Sequence, residues 1–146
     1  MTWVVDASVA VKWFVDEAHS ATARAVLASG QPLIAPDLIV PETCNTAWKK
    51  VRRGDISREQ GEALVRALPL SFDRLAATAP LSLRALELAR RFDHPAYDCF
   101  YLALAEAESA VLVSDDERVI ELGRQAGLGK LVRPLAAFGR RRRPPA

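Results

Sequence analysis

Residues 96–117 read AYDCFYLALAEAESAVLVSDDE and contain a helical segment, a buried strand and a pair of acids in direct succession. Pro95 precedes a helix predicted over residues 96–109, because proline is tolerated at the start of a helix. Ala110-Val111-Leu112-Val113 is a short continuous apolar run, which predicts a strand buried on both faces. Asp115 and Asp116 then open a further predicted helix. This succession is typical of an α/β protein with a parallel sheet.

The same alternation extends outward through the rest of the chain. Trp3-Val4-Val5 and Leu33-Ile34-Ala35 predict two further strands, and residues 70–75 and 131–132 predict two weaker ones. Helices are predicted between them, over residues 9–14, 20–27, 37–53, 57–68, 80–92 and 114–126. We therefore expect a single three-layer α/β/α sandwich with a mostly parallel sheet over residues 1–135. A basic, flexible tail is expected over residues 136–146.

Polar residues and one proline predict where several helices begin. Ser20 is expected to cap the helix that ends near Leu27. Ser57 with Gln60 has capping-box spacing, and Ser114 with Glu117 has the same spacing. Pro41 either kinks its helix or lies at the first position of a new one.

The composition suits one compact intracellular domain. The chain has 146 residues, of which half are hydrophobic, and it contains no apolar run of membrane-spanning length. From its first residues we expect no secretory leader. Cys44 and Cys99 lie in predicted helices without a CxxC pair, so we expect buried free thiols in a reducing cytoplasm. The net charge of +2 includes the four arginines Arg140–Arg143. The remaining 16 basic residues are outnumbered by 18 acidic ones, so charge alone does not indicate nucleic-acid binding.

Acidic residues follow three of the predicted strands. Asp6 follows the first strand, Asp37 and then Glu42 follow the second, and Asp115 and Asp116 follow the third long one. Because parallel strands end at one edge of a sheet, these carboxylates are expected to converge there. Each acid taken alone is also explained as a helix cap or as a first-turn acid favoured by the helix dipole. The same holds for Asp98, which periodicity does not place at the site.

A cluster of such acids is harder to explain than its members. Neighbouring carboxylates raise each other's pKa, so the grouping is destabilising unless a cation lies within it. Carboxylate oxygens favour Mg²⁺ or Mn²⁺, and one or two such ions support phosphoryl chemistry. His19 and His94 are expected in loops, and no His or Cys grouping indicates zinc.

Four segments resemble the motifs of PIN domains, in particular the VapC-type toxins of type II toxin–antitoxin systems. VVDAS at residues 4–8 resembles the opening motif, and PETCN at residues 41–45 resembles the second, a glutamate followed three positions later by asparagine. YDCFYLALA at residues 97–105 resembles the third and is the most specific. VLVSDDER at residues 111–118 resembles the last, which more often has threonine at the serine position. The order, spacing and length agree over nearly the whole chain.

The resemblance implies a metal-dependent ribonuclease site. Asp6 and Asp98 would be the central metal ligands, while Asp116 and Glu42 would complete the shell directly or through water. Polar side chains at matching positions would orient ligands or water, namely Ser8, Asn45 and Ser114. Asp115 lies at a variable position, and its closeness to Asp116 leaves the choice between the two open. Asp37 matches no motif residue.

The resemblance also implies partners. It implies a homodimer, a VapB-like antitoxin that binds a groove beside the site, and an RNA substrate, with transfer RNA as one candidate. Single-stranded RNA is the physically favoured target, because its phosphates can approach a recessed pocket. The basic residues expected to guide RNA, or else to be a solvated helix end, are Lys12, Lys49, Lys50, Arg52 and Arg53. Trp3 and Trp13 are expected to pack in the core or a dimer interface, although tryptophans including Trp48 also stack bases.

Two other functions fit parts of the pattern. A haloacid-dehalogenase-like phosphatase also has an Asp after its first strand, but it would need a second acid at position 8, where this chain has Ser8. A catalytically silent PIN-fold module would bind RNA or protein without cutting, and the intact acidic quartet argues against it.

Overall fold

The computed structural model describes residues 1–138, and a five-stranded sheet lies at the centre of these residues. The strands are β1 (Trp3–Val5), β2 (Leu33–Pro36), β3 (Arg74–Ala76), β4 (Val111–Ser114) and β5 (Val132–Pro134). Their order is β3-β2-β1-β4-β5, and every pairing is parallel. The predicted parallel α/β sheet is therefore confirmed. The predicted tail, with Arg140–Arg143, lies mostly outside the described residues.

Seven α-helices accompany the sheet within residues 1–138. They are α1 (Ala7–Ala10), α2 (Ser20–Leu27), α3 (Ile39–Arg52), α4 (Arg58–Ala67), α5 (Ser82–Phe92), α6 (Ala96–Glu108) and α7 (Glu117–Gln125). Together with the sheet they form the expected three-layer α/β/α sandwich. None of these helices has the length and apolar character needed to cross a bilayer.

The strand order explains where the site lies. The chain lays β2 and β3 on one side of β1, and it then places β4 and β5 on the other side. β1 and β4 are neighbours in register, with Val5 opposite Val113, so the segments after both strands begin side by side. This reversal of strand order opens a crevice at the carboxyl edge, where ligands bind in open α/β sheets.

Two weakly predicted strands are displaced along the chain. Leu68–Ser71 forms a 3₁₀ turn with Pro69 near its start, and β3 begins only at Arg74. Proline favours the opening of a helical turn and has no N–H for a strand ladder, so the strand expected over residues 70–75 starts later. β5 likewise begins at Val132 and not at residue 131.

The residues at which the helices begin agree only in part with the sequence predictions. The capping box of Ser57 and Gln60 is confirmed. Ser20 does not cap α2: its hydroxyl donates to the Val15 carbonyl and accepts from the Glu17 N–H, so it holds the preceding loop. Ser114 does not cap α7 either, because the strand extends through it and Asp116 takes the cap.

The structure also decides three further expectations, which concern Pro41, the tryptophans and the cysteines. Pro41 lies in the first turn of one continuous helix, α3, where no proline N–H is required. Trp3 and Trp13 are buried as predicted, and the Trp13 indole N–H donates to a backbone carbonyl. Both cysteines are free, but the prediction that both are buried is wrong for Cys44, which is exposed on α3.

Candidate active site

Asp6 is the most deeply buried acid at the carboxyl edge of the sheet. It directly follows β1, is 6% exposed and caps α1, accepting from the Val9 N–H at 3.3 Å and from the Ser8 hydroxyl at 2.5 Å. Burial raises its pKa to about 6, against the lowering effect of hydrogen bonds from Ser114, Ser8 and Val9. The charge of Asp98 raises it further. Asp6 is therefore both a helix cap and a member of an acidic cluster.

Asp98 joins this cluster from the first turn of α6. Its carboxylate Oδ2 lies 2.8 Å from His94 Nε2, and a carboxylate only accepts, so this nitrogen donates. The charge of Asp98 contributes to raising the pKa of both Asp6 and Glu42. The structure thus brings Asp98, which periodicity did not place at the site, to Asp6 and Glu42. His94 is a loop residue as predicted, but its contact with Asp98 was not predicted.

Glu42 enters the cluster from the first turn of α3. Burial raises its pKa, while a hydrogen bond from Tyr101 lowers it. The Tyr101 hydroxyl donates to Glu42 Oε1 at 2.5 Å, and the Tyr101 ring is fully buried. Burial, followed by the charges of Glu42, Asp6 and Asp98, raises the pKa of Tyr101 well above its usual value. The phenol therefore stays protonated between the carboxylates and can only donate to them.

Tyr101 was not among the site residues predicted from the sequence, although its spacing from Asp98 could have indicated it. Residues three apart in a helix share a face, so Tyr101 lies on the same face of α6 as Asp98. Cys99, which follows Asp98, is buried, and burial raises its thiol pKa to about 11. The expectation that Cys99 packs and does not react is consistent with this burial and raised pKa.

Asp115 and Asp116 take different roles despite their adjacency. Asp116 caps α7 by accepting from the Arg118 N–H at 2.9 Å, and its side chain is one third exposed. Asp115 Oδ2 lies 3.1 Å from His19 Nδ1 and 3.6 Å from Lys12 Nζ, so it has two basic side chains as neighbours. The Asp115 N–H donates to the Ser8 hydroxyl at 3.2 Å, and that hydroxyl donates to Asp6. Asp115 thereby orients Ser8, and neither Asp115 nor Asp116 is among the groups that shift the pKa of Asp6 or Glu42.

The remaining candidate residues lie around this centre. Asn45 is exposed and lines a cavity together with Glu42. Ser114 is fully buried at the end of β4, beside Asp6. Asp37 is exposed at the end of β2, and it is not among the groups that shift the pKa of Asp6 or Glu42.

The predicted basic guide residues behave unequally. Lys12 and Lys50 both pair with Glu17, at 3.1 and 2.7 Å, so much of their charge is neutralised within the protein. The Arg52 guanidinium lies over the Trp48 ring at 4.4 Å. Lys49 and Arg53 are exposed. Only part of this basic run is thus free to meet an RNA backbone.

The PIN domain model matches residues 3–125 of the chain. The chain belongs to the PIN-domain family. A curated relative, Ribonuclease VapC3 from Pyrobaculum aerophilum, is 31% identical over 123 residues, which are 83% of this chain and 94% of the relative. Within the family, the chain therefore belongs to the VapC-type proteins.

Solved structures share the PIN fold of this chain. A Pyrobaculum aerophilum protein superposes with a TM-score of 0.70 at 22% identity, covering 95% of this chain and 90% of that one. Mycobacterium tuberculosis VapC20, described as a sarcin–ricin-loop-cleaving toxin, gives 0.68 at 22% identity, covering 83% and 95%. Rickettsia felis VapBC2, solved with a DNA fragment from its promoter, gives 0.67 at 15% identity, covering 92% and 98%. At these identities the likeness shows the fold.

The PIN-domain assignment removes the phosphatase alternative. The phosphatase hypothesis needed a second acid at position 8, whereas the Ser8 hydroxyl donates a hydrogen bond to Asp6. The serine thus supports the first acid and does not supply a second one.

The donor set of this PIN site fits a hard divalent cation. The groups that act on buried Asp6 are two hydroxyls, one amide and another carboxylate, and none of them is a cation. The carboxylate oxygens of Asp6, Glu42 and Asp98 are hard ligands of the kind that suits Mg²⁺ or Mn²⁺. Within residues 1–138, no three His, Cys, Asp or Glu side chains are placed to hold an ion in common. Some of the predicted ligands would therefore act through water.

We expect Tyr101→Phe to lower the rate of RNA cleavage by roughly tenfold, as loss of a partner behind a metal ligand typically does. The hydrogen bond from Tyr101 lowers the pKa of Glu42. Its removal should therefore move the acid limb of the pH–rate profile to higher pH, which a purely structural loss would not do. The measurement is kcat against pH for both proteins, with melting temperatures recorded alongside. An unmoved acid limb would show that the phenol does not tune Glu42.

Proposed function

We propose that this chain is a metal-dependent endoribonuclease, the toxin of a toxin–antitoxin pair. The observation that carries the proposal is the convergence of Asp6, Asp98 and Glu42 at the carboxyl edge, where Asp98 raises the pKa of the other two. The relative's name, Ribonuclease VapC3, supports the same activity. So does the description of VapC20 as a toxin that cleaves the sarcin–ricin loop.

Asp6 and Asp98 would hold Mg²⁺ or Mn²⁺, with Glu42 and Asp116 completing the shell directly or through water. When bound, the ion activates water and neutralises charge that develops on the phosphate and the leaving oxygen. The protein's own residues position the carboxylates for this. Ser8 orients Asp6, His94 holds one oxygen of Asp98, and Tyr101 holds one oxygen of Glu42.

Other side chains complete the proposed site. Ser114 is buried beside Asp6 and hydrogen-bonds it, which lowers the pKa of that carboxyl. Asn45 is exposed within one helical turn of Glu42, so its amide can contact substrate or water. We propose that the nuclease domain spans residues 1–135, with a basic C-terminal tail beyond it.

The proposed substrate is RNA with an accessible single-stranded segment, because a recessed acidic pocket admits an exposed phosphate more readily than a duplex. Transfer RNA is one candidate. The proposed partner is a VapB-like antitoxin, in line with the VapBC2 complex, and the toxin is proposed to be a homodimer. We also propose that the protein acts in the cytoplasm.

The decisive experiment combines purified chain, a panel of structured RNAs and controlled metal. We expect site-specific cuts with Mg²⁺ or Mn²⁺ and none with excess EDTA, since the carboxylates alone repel phosphate. Each ion should also raise the melting temperature, by roughly 5 °C at a concentration ten times its Kd. Asp98→Asn should show a much smaller thermal shift.

Three results would contradict this proposal. RNA binding without cleavage under all metal conditions would indicate a catalytically silent module. Hydrolysis of p-nitrophenyl phosphate without cleavage of RNA would show that the site acts on phosphate monoesters and not on RNA. No thermal shift at millimolar metal would exclude a preformed cation site.

A further inference from the structure

An open cavity lies directly beside the acidic cluster. It has a volume of about 410 Å³ and is lined by Leu38, Pro41, Glu42, Asn45 and Tyr97. A second cavity of about 540 Å³ adjoins it, and the two share Leu38, Pro41 and Tyr97. The walls thus combine apolar surface with a carboxylate and an amide from the site, and a cavity of this size accommodates a small-molecule group.

Tyr97 is the exposed aromatic wall of both cavities. It lies in the first turn of α6, immediately before Asp98, and it is 65% exposed. Tyr101, one turn further along α6, is 2% exposed and bonded to Glu42. The two tyrosines of α6 therefore have different roles. Tyr101 supports the Glu42 carboxylate from the protein interior, whereas Tyr97 presents its ring to solvent beside Glu42.

Other aromatic side chains are less available. Trp3 and Trp13 are buried in the core. Trp48 is 54% exposed, but the Arg52 guanidinium covers one face of its ring. Tyr97, in contrast, combines a well-exposed ring with a position beside Glu42, an acid of the cluster.

We propose that Tyr97 is a stacking platform for a nucleobase that flanks the scissile phosphate, an inference that rests on the proposed ribonuclease function. A base on this ring would lie in the cavity walled by Leu38 and Pro41, with Glu42 and Asn45 at its edge. Every base has a π-face, so stacking tolerates different sequences. It does require an unpaired base, and the site therefore selects single-stranded RNA.

The test measures stacking directly. A stem–loop RNA that the unmodified chain cuts is made with 2-aminopurine in turn at each loop position. It is then titrated with Asp98→Asn protein, so that the RNA stays intact. Fluorescence should be quenched at one position beside the cut. Adding Tyr97→Leu should abolish that quenching and weaken RNA binding by roughly tenfold or more, whereas Tyr97→Phe, which keeps the ring, should preserve both.

Phe14→Leu is the matched control, since Phe14 is an exposed aromatic that lines neither cavity. It should leave quenching and RNA affinity unchanged. If Tyr97→Leu binds RNA within twofold of the parent, or if it converts a dimer to a monomer in sedimentation, the platform is refuted. In the second case the ring belongs to a chain–chain contact. If the unmodified chain cuts no RNA, the proposed function fails and this inference falls with it.

Discussion

Asp98→Asn is expected to lower RNA cleavage by about a hundredfold or more, because one metal ligand and its negative charge are lost together. The asparagine side chain is nearly the same size, and α6 can keep its first turn, so the fold should persist. His94, whose Nε2 now lies 2.8 Å from the Asp98 carboxylate, would meet an amide instead. The measurement is kcat/KM on a defined RNA at saturating Mg²⁺.

Asp37→Asn is the matched control for this variant. Asp37 is also an acid at the end of a strand, but it is exposed, lines the second cavity and not the one beside Glu42, and is not among the groups that shift the pKa of Asp6 or Glu42. Its replacement should change cleavage less than twofold, as expected for an acid outside the cluster. Full activity in Asp98→Asn would exclude the proposed site, and a large loss in Asp37→Asn would show that the site extends to β2.

Asp6→Asn is expected to abolish activity and yet to stabilise the metal-free protein at neutral pH. Burial raises the pKa of Asp6 from 3.8 to about 6, so the folded state binds this proton more tightly than the unfolded state. The contribution of Asp6 to stability is therefore fully present below pH 4 and is lost as the pH rises through 6. The loss at pH 7 is on the order of 3 kcal/mol. Asparagine caps helices about as well as aspartate, so α1 should remain.

Urea unfolding in EDTA at pH 5 and at pH 7.5 checks this prediction. The parent should lose stability between the two values, while Asp6→Asn should change less and be the more stable protein at pH 7.5. Saturating Mg²⁺ should reverse that order, because the ion binds the folded parent and compensates the buried charge. A variant that is less stable than the parent at pH 7.5 without metal would show that Asp6 is mainly a structural cap.

Asp6 and Asp116 show why single acids were hard to interpret. Asp6 caps the following helix, as its alternative explanation required, and the charge of Asp98 acts on the same carboxyl group. Asp116 also caps a helix, whereas the predicted capping box of Ser114 and Glu117 is wrong. The first turn of a helix after a parallel strand offers N–H donors at the edge where ligands bind. Capping and metal binding therefore favour the same residue types at the same positions.

Local patterns in the chain were sufficient for much of the architecture. Apolar runs with following helices determined the parallel α/β class, because periodicity within neighbouring residues reveals it. The PIN family was predicted from the resemblance of four motif segments, and the acidic quartet that this resemblance implies stays a prediction. The same patterns misplaced the β3 boundary and the role of Ser20, because local propensity does not show which carbonyl a hydroxyl will meet.

Only the tertiary structure decided which distant side chains act on each other. Strand order placed the ends of β1 and β4 side by side, and α6 brought Asp98 and Tyr101 to Asp6 and Glu42 from more than fifty residues away. The tertiary structure also gives the two adjacent acids different partners. Asp115 lies beside Lys12 and His19, whereas Asp116 caps α7. Hydrogen bonds and charge effects depend on distance in space and on burial, and neither can be read from order along the chain.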